Sequence, residues 1–231
     1  MLTESQIRQM MPLAGQRLNA HVPYIAPAME EGGINKPKDI AGFMAQLAHE
    51  SGEYRYMREI HDGSDYEGRD DLGNVYPGDG VRYPGRGGIQ VTGRTAAREC
   101  GKFFKQPFEE HPELMEKPQW ATHVSVWFWT VYKKIRSQRF SVTTPFIQIF
   151  SLMEWPWAVT KGVNGGYNHI DERLAYYDRN RRILKLPALD LTRAGERSRI
   201  KLFQMEMGLG ADGDAGADTS AKAAEWLQCQ R

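Results

Sequence analysis

Along the first half of the chain apolar residues recur at intervals of three and four, the spacing of a helix with one buried face. Thr3, Glu4, Ser5 and Gln6 read as a helix start, and Ile7, Met10, Met11 and Leu13 follow as a short apolar face before Gly15. Over 18–29 the spacing continues through Val22, Ile25, Ala26 and Met29, with Pro23 and Pro27 making the segment irregular and Gly32 and Gly33 ending it. The clearest case comes after Pro37, where Ile40, Phe43, Met44, Leu47 and Ala48 fall at i, i+3, i+4, i+7 and i+8. At about 100° per residue, Glu50 lies roughly 80° from Ile40, beside Phe43 on the rim of that stripe. Gly52 weakens the helix two residues later.

From 60 to 88 the periodicity disappears into a stretch rich in Gly, Asp, Asn, Tyr and Pro. A loop this long inside a compact domain is functional or disordered, and its aromatic and arginine content argues against disorder. Tyr83-Pro84-Gly85-Arg86-Gly87-Gly88-Ile89-Gln90-Val91-Thr92-Gly93 then leads into a helix over 94–104. A glycine-rich entry to a helix can cradle phosphate, but no strand pattern precedes this one and the Gly-Lys-Ser/Thr of a P-loop is absent. Helical spacing resumes at 112–114 and at 120–135, where Val124, Trp127, Phe128, Val131 and Tyr132 share a side, and again over 146–153. Pro156 interrupts near Trp155 and Trp157, Val163-Asn164-Gly165-Gly166 is a turn signal, and 171–184 reads as a charged helix with Leu174, Tyr177 and Ile183 inward. Alternating strand patterns are nearly absent, so the fold class is mainly α, with long loops lining one side of a domain that ends near residue 186.

Composition narrows the function more than the fold. Thirty Lys and Arg stand against 29 Asp and Glu in 231 residues, a net charge of +1, so no overall field draws the chain to nucleic acid or an anionic membrane. Cys100 and Cys229 are far apart and outside any metal-ligand spacing, which predicts two free thiols, no metal and no cofactor. The opening Met-Leu-Thr-Glu-Ser-Gln shows no basic region followed by an apolar run, and no window reaches the 18 apolar residues of a membrane span, so synthesis in a cytoplasm without a signal peptide is expected.

The candidate chemistry lies in two glutamates nine positions apart, Glu50 in Ala48-His49-Glu50-Ser51-Gly52 and Glu59 in Met57-Arg58-Glu59. Cleaving a glycosidic bond takes one carboxyl that gives a proton to the leaving oxygen and a second carboxylate that attacks carbon or activates water. A partly desolvated position suits the donor and a polar one suits the partner, so Glu50 fits the first role and Glu59, beside Arg58 and His61, the second. Were the helix to run on past Gly52, the two would stand about 13.5 Å and half a turn apart. A shared site therefore requires the chain to turn after Gly52. The pair is not a zincin site, since the histidine due three residues after Glu50 is Glu53. His61, His111 and His169 read as surface or hydrogen-bonded residues.

Several motifs in order carry a resemblance: Ala-His-Glu-Ser-Gly, the Glu50 to Glu59 spacing, Tyr-Glu-Gly-Arg-Asp-Asp-Leu-Gly-Asn at 66–74, the glycine-rich stretch at 83–93, and Val-Asn-Gly-Gly at 163–166. Together they resemble glycoside hydrolase family 19, and most of all its compact phage-type lysozymes, the endolysins, over residues 1–186. The resemblance implies a lysozyme-like, two-lobed helical domain with a cleft between the lobes. It implies Glu50 as general acid and Glu59 as general base activating water for single displacement with inversion, with carboxyls about 6.5–9.5 Å apart. Thr92 falls where the family commonly has a serine that helps hold the water, while Gln90, Asn164, Arg173 and Tyr83 fall on positions implied to line the sugar site or steady the second carboxylate. Where the family often has an Asn-Tyr pair after Thr-Gly-Arg, this chain has Ala96 and Ala97, which bears on one sugar subsite.

Residues 187–231 are expected to form a helical tail, since 200–204, 207–219 and 221–228 resemble about half of a small peptidoglycan-binding module. The spacing of Asp212, Asp214 and Asp218 lacks the glycine and closing glutamate of a calcium loop and reads as a turn. The expected function is a monomeric peptidoglycan hydrolase cutting β-1,4 bonds between amino sugars, reaching the wall by holin-type release. The alternatives are a chitinase, a lytic transglycosylase and a wall-binding protein without catalysis.

Overall fold

Thr3 opens the first helix: its hydroxyl accepts the Gln6 N–H at 3.2 Å and the Gln6 carboxamide accepts the Thr3 N–H at 3.0 Å, so two end donors are satisfied reciprocally. A computed structural model describes residues 2–230 of the chain. It divides into two units, one holding the residues up to Ile34 together with Leu47–Phe128, the other Asn35–Gln46 and the chain from Trp129 onward.

The first unit contains α1 (Glu4–Met10), α2 (Val22–Glu31), the last turn of α3 (Pro37–Glu50), the single-turn α4 (Asp79–Arg82), α5 (Arg94–Phe104) and α6 (Pro118–Trp127). Its core gathers the periodic apolar positions, with Ile7, Met10, Leu18, Ile25, Leu47, Phe108 and Val124 all buried. The end of α2 approaches α6 so closely that a Cβ on Gly32 would lie 2.0 Å from Val126 Cγ1. The long 60–88 stretch is ordered by one side chain. Arg94 enters from the start of α5, donates to Asp79 Oδ2 at 2.9 Å and to Glu109 Oε1 at 3.1 Å, and lies 4.9 Å from the ring centroids of both Tyr76 and Tyr83.

The hydrogen bonds from Arg94, ahead of those from the backbone, hold the Asp79 carboxyl below its usual range. A depressed folded-state value stabilises fully above the unfolded value of about 3.9 and is lost as pH falls through the folded one. Asp79→Asn should therefore be less stable than the wild type near neutral pH, and the two melting curves should converge as pH drops below about 3.9. Thermal melts across that range check it.

The second unit holds the first turns of α3, a hairpin of β1 (Lys134–Ser137) and β2 (Val142–Pro145), and helices α7 (Ile147–Leu152), α8 (Pro156–Asn164), α9 (Ile170–Ile183), α10 (Arg193–Glu206) and α11 (Ala217–Cys229). In its core Asp39 accepts the Trp129 indole N–H at 2.9 Å and a Gln148 amide N–H at 2.8 Å, and Phe43 meets the Trp129 ring edge-on. Burial pushes the Asp39 carboxyl up to about 7, against the lowering effect of its hydrogen bonds.

Two expectations are corrected here. The helix expected over 120–135 ends sooner: Phe128–Tyr132 wind as a π-helical turn, and Lys134–Ser137 pair antiparallel with Val142–Pro145, Lys134 opposite Pro145. The β-branched run Val142-Thr143-Thr144 favours the extended partner strand, and Ser137 Oγ closes the turn by accepting the Phe140 N–H at 3.2 Å. Helix α9 also turns a different face inward. Leu174 and Ile183 are only half-buried, whereas Arg173, Asn180 and Arg181 are buried beside Tyr176 and Tyr177. Arg181 pairs with Glu154 and stacks over Tyr177, and Asn180 donates to the Ala41 carbonyl at 3.1 Å, while Asn180 Oδ1 is buried with no hydrogen-bond partner among the described residues.

The segment 187–231 lies within the second unit. Glu196 of α10 is fully buried and caps α8, accepting the Trp157 N–H at 2.7 Å and the Ala158 N–H at 3.0 Å. These amides belong to the first turn of α8, where no helical partner exists for them. Ser137 of the hairpin likewise donates to Asp218 of α11 at 2.7 Å.

Candidate active site

Helix α3 ends at Glu50, which is half-buried, and the next turn is left-handed. Gly52, Glu53 and Tyr54 have φ of 53°, 56° and 62°. For the two residues with a Cβ this costs on the order of 1 kcal/mol each, and it persists only where the surroundings fix it. Here they do: Ser51 Oγ accepts the Tyr54 N–H at 2.8 Å, the buried Glu53 carboxylate accepts the Leu13 N–H, and the buried Tyr54 hydroxyl lies 2.7 Å from Thr122 Oγ1. The chain thus turns after Glu50, and Tyr56 N–H donates back to the Ser51 carbonyl at 2.8 Å.

Glu59 arrives on a small scaffold made by 57–59, 85–87 and 90–92. Glu59 N–H donates to the Gly85 carbonyl at 2.8 Å, Gly87 N–H to Met57 at 2.9 Å, and Arg86 and Val91 exchange bonds of 3.0 and 2.8 Å. The Glu59 carboxylate is clamped on both oxygens, with Tyr66 O–H donating to Oε1 at 2.8 Å and Gly85 N–H to Oε2 at 2.9 Å. Burial, then the adjoining Glu59, push the Tyr66 phenol up to about 12, so it remains a donor at any working pH. Gln90, at φ 58°, packs against the same corner: a Cβ on Gly85 would lie 2.7 Å from Gln90 Oε1 and 3.2 Å from Glu59 Oε2. Its amide donates to the carbonyls of Tyr56 and Gly87 at 3.0 Å each, joining the turn after Glu50 to the Glu59 scaffold. Gln90 Oε1 is buried with no hydrogen-bond partner among the described residues. Thr92 O–H donates to the Gln90 carbonyl at 3.0 Å, leaving its oxygen able to accept from a water.

Glu50, Glu59, Gln90 and Thr92 are thus tied to one hydrogen-bonded framework. Tyr83 is placed differently. It is buried, its hydroxyl donates to the Glu109 carbonyl at 2.7 Å, and its ring stacks on Arg94, so it braces the loop. Asn164 and Arg173 belong to the second unit. Asn164 is exposed at the end of α8, before Gly165 at φ 81°. Arg173 is buried, donates to the Asn168 carbonyl at 3.1 Å and pairs with the Gln46 carboxamide. Glu67, the other carboxylate of the loop, is taken up by the Gly78 and Gly80 amides at 2.7 and 2.8 Å.

Sequence reasoning missed Tyr66 as the holder of Glu59 and Gln46 as the partner of Arg173. A tyrosine in a polar loop seven residues after Glu59 was the available signal for the first. Tyr66→Phe removes one hydrogen bond to a charged group, and about a tenfold loss in kcat with KM little changed is expected. A positioning role predicts a kcat effect with at most a small drop in melting temperature, so kinetics and a thermal melt together check it.

No profile of a known protein family matches the chain. It is 34% identical over 115 residues to an endochitinase of Arabidopsis thaliana, covering 48% of this chain and 39% of that protein. The chain thus spans about two fifths of the length of the Arabidopsis endochitinases it matches, 39% and 41% for the two. A glycosyl hydrolase family 19 domain-containing protein of Haemophilus influenzae is 24% identical over 184 residues, 66% of this chain and 84% of that protein. Among solved structures, a bacterial family 19 chitinase superposes with a TM-score of 0.63 at 18% identity, over 80% of this chain and 95% of that one. Chitinase C of Streptomyces griseus gives 0.57 at 21% identity over 80% of this chain and 76% of that one. The mainly helical, lysozyme-like fold expected from the motifs is therefore the fold observed, and in sequence and fold the chain resembles proteins of glycoside hydrolase family 19.

Proposed function

We propose that the chain is a glycoside hydrolase that cuts the β-1,4 bond between amino sugars of peptidoglycan, with Glu50 as general acid and Glu59 as the base that activates water. The observation that carries this reading is the clamp on Glu59. Tyr66 and Gly85 fix both carboxylate oxygens within the framework that also holds Thr92, Gln90 and the turn following Glu50. A carboxylate fixed on both oxygens has the orientation that a general base requires. Digestion of purified peptidoglycan followed by product mass analysis tests the proposal. Reducing ends are expected, anhydromuramic ends would assign a lytic transglycosylase instead, and an inert protein would leave wall binding alone.

A chitinase is the second reading, favoured by the names of the Arabidopsis relatives and of the matching structures. The same two glutamates serve it, and parallel assays on colloidal chitin and solubilised walls separate the two substrates. The peptidoglycan reading extends to an endolysin role: synthesis in the host cytoplasm, action on the wall after holin-type release. Expressed alone the protein should leave cells intact, and lysis should follow when the inner membrane is permeabilised.

A further inference from the structure

The second unit contains a cavity of about 460 Å³, within the size range of ligand pockets, that none of the residues assigned above explains. Three cations from three separate segments line it: Lys133 just before β1, Lys161 of α8 and Arg193 at the start of α10. Two acids line it as well, but both are engaged. Glu196 gives its oxygens to the α8 amides, and Asp214 pairs with Arg197 at 3.2 Å. Arg193 is held between aromatic rings, 5.6 Å from the centroid of Trp157 and 5.0 Å from that of Tyr167, with only long approaches to Glu196 and Asp214 at 3.5 and 3.9 Å. Lys161 is exposed and enters no ion pair among the described residues. Burial holds the Lys133 ammonium below its usual range, a direction that an incoming anion would reverse.

We infer that this cavity takes the carboxylate-bearing substituent of a muramic acid residue, its lactyl group with the first residues of the peptide stem. The inference rests on the peptidoglycan reading above and deepens it, because chitin carries no anionic substituent for three cations to meet. It also makes Arg193, which lies beyond residue 186, part of substrate selection.

The test titrates the full chain, in a Glu50→Gln background that prevents turnover, with two tetrasaccharides: a peptidoglycan fragment carrying peptide stems and the neutral chitotetraose. The muropeptide should bind about tenfold more tightly, as charge-assisted contacts require, and the advantage should shrink in ~0.5 M salt. Lys161→Glu should remove about tenfold from muropeptide affinity while chitotetraose affinity changes less than about twofold. Arg193→Gln should act in the same direction, with a thermal melt to separate lost charge from lost packing on Trp157. Equal affinity for the two tetrasaccharides, or equal weakening of both by Lys161→Glu, would overturn the inference. Peptidoglycan cleavage by the wild type is read separately. Cleavage with Lys161-independent binding sinks the cavity alone, whereas Lys161-dependent binding without cleavage sinks the hydrolase reading and leaves the cavity standing.

Discussion

Glu50→Gln is expected to reduce release of reducing ends from purified peptidoglycan to background while the protein still sediments with cell walls. The leaving sugar oxygen must receive a proton as the bond breaks, and a carboxamide of the same shape has none to give. General acid catalysis alone is worth about 10²–10⁴ in rate, and for a poor alkoxide leaving group the loss should lie at the upper end. The fold should not suffer, because the substitution is isosteric and the turn beyond Glu50 is held by Ser51, Glu53 and Tyr54. A melting temperature equal to that of the wild type would therefore assign the loss to chemistry. Near wild-type turnover would mean that another group donates the proton, and the proposed mechanism would lose its centre.

Glu59→Gln should cost about 10²–10⁴ in kcat through loss of the base. The structural cost is smaller and separable. Glutamine keeps one acceptor for Tyr66 O–H but turns an amide toward the Gly85 N–H, giving up one hydrogen bond of about 1 kcal/mol. The variant should thus melt slightly earlier yet remain folded and wall-bound. The first product formed by the wild type should have the inverted anomeric configuration, which NMR during the reaction reads directly. Glu67→Gln is the control: its carboxylate braces the Gly78 and Gly80 amides, so it should loosen the loop and spare most of the activity. The reverse pattern, activity lost with Glu67 and kept without Glu59, would exchange their roles.

The parts of this protein that the sequence made legible are those where local pattern and tertiary environment agree. The apolar stripe from Ile40 to Ala48 became α3, and Gly52 marked the turn that a shared site required. The turn's left-handed continuation through Glu53 and Tyr54 was not legible, because it depends on Leu13 and Thr122, both far along the chain. The bracing contact of Tyr83 was not legible for the same reason, its hydroxyl being satisfied by a carbonyl 26 residues away. The inward face of α9 defeats hydrophobic periodicity altogether, since its buried positions include Arg173, Asn180 and Arg181, each partnered by groups from other segments. The hairpin at 134–145 was hidden because Val131, Tyr132 and Ile135 carry the helical spacing past the point where the helix stops.

The Glu196 cap on α8 bears on how such chains could be shortened or recombined. A protein cut after Leu186 would lose the acceptor for two buried amides, and also the Leu191 carbonyl that takes the Trp157 indole N–H at 2.8 Å. An orphaned buried donor costs about 1–3 kcal/mol, and a helix that opens at Trp157 and ends at Asn164 would bear that loss directly. A different segment grafted in place of 187–231 would have to bring its own carboxylate to that helix end, as well as replace the Leu191 and Asp218 contacts, so the two parts are coupled in inheritance.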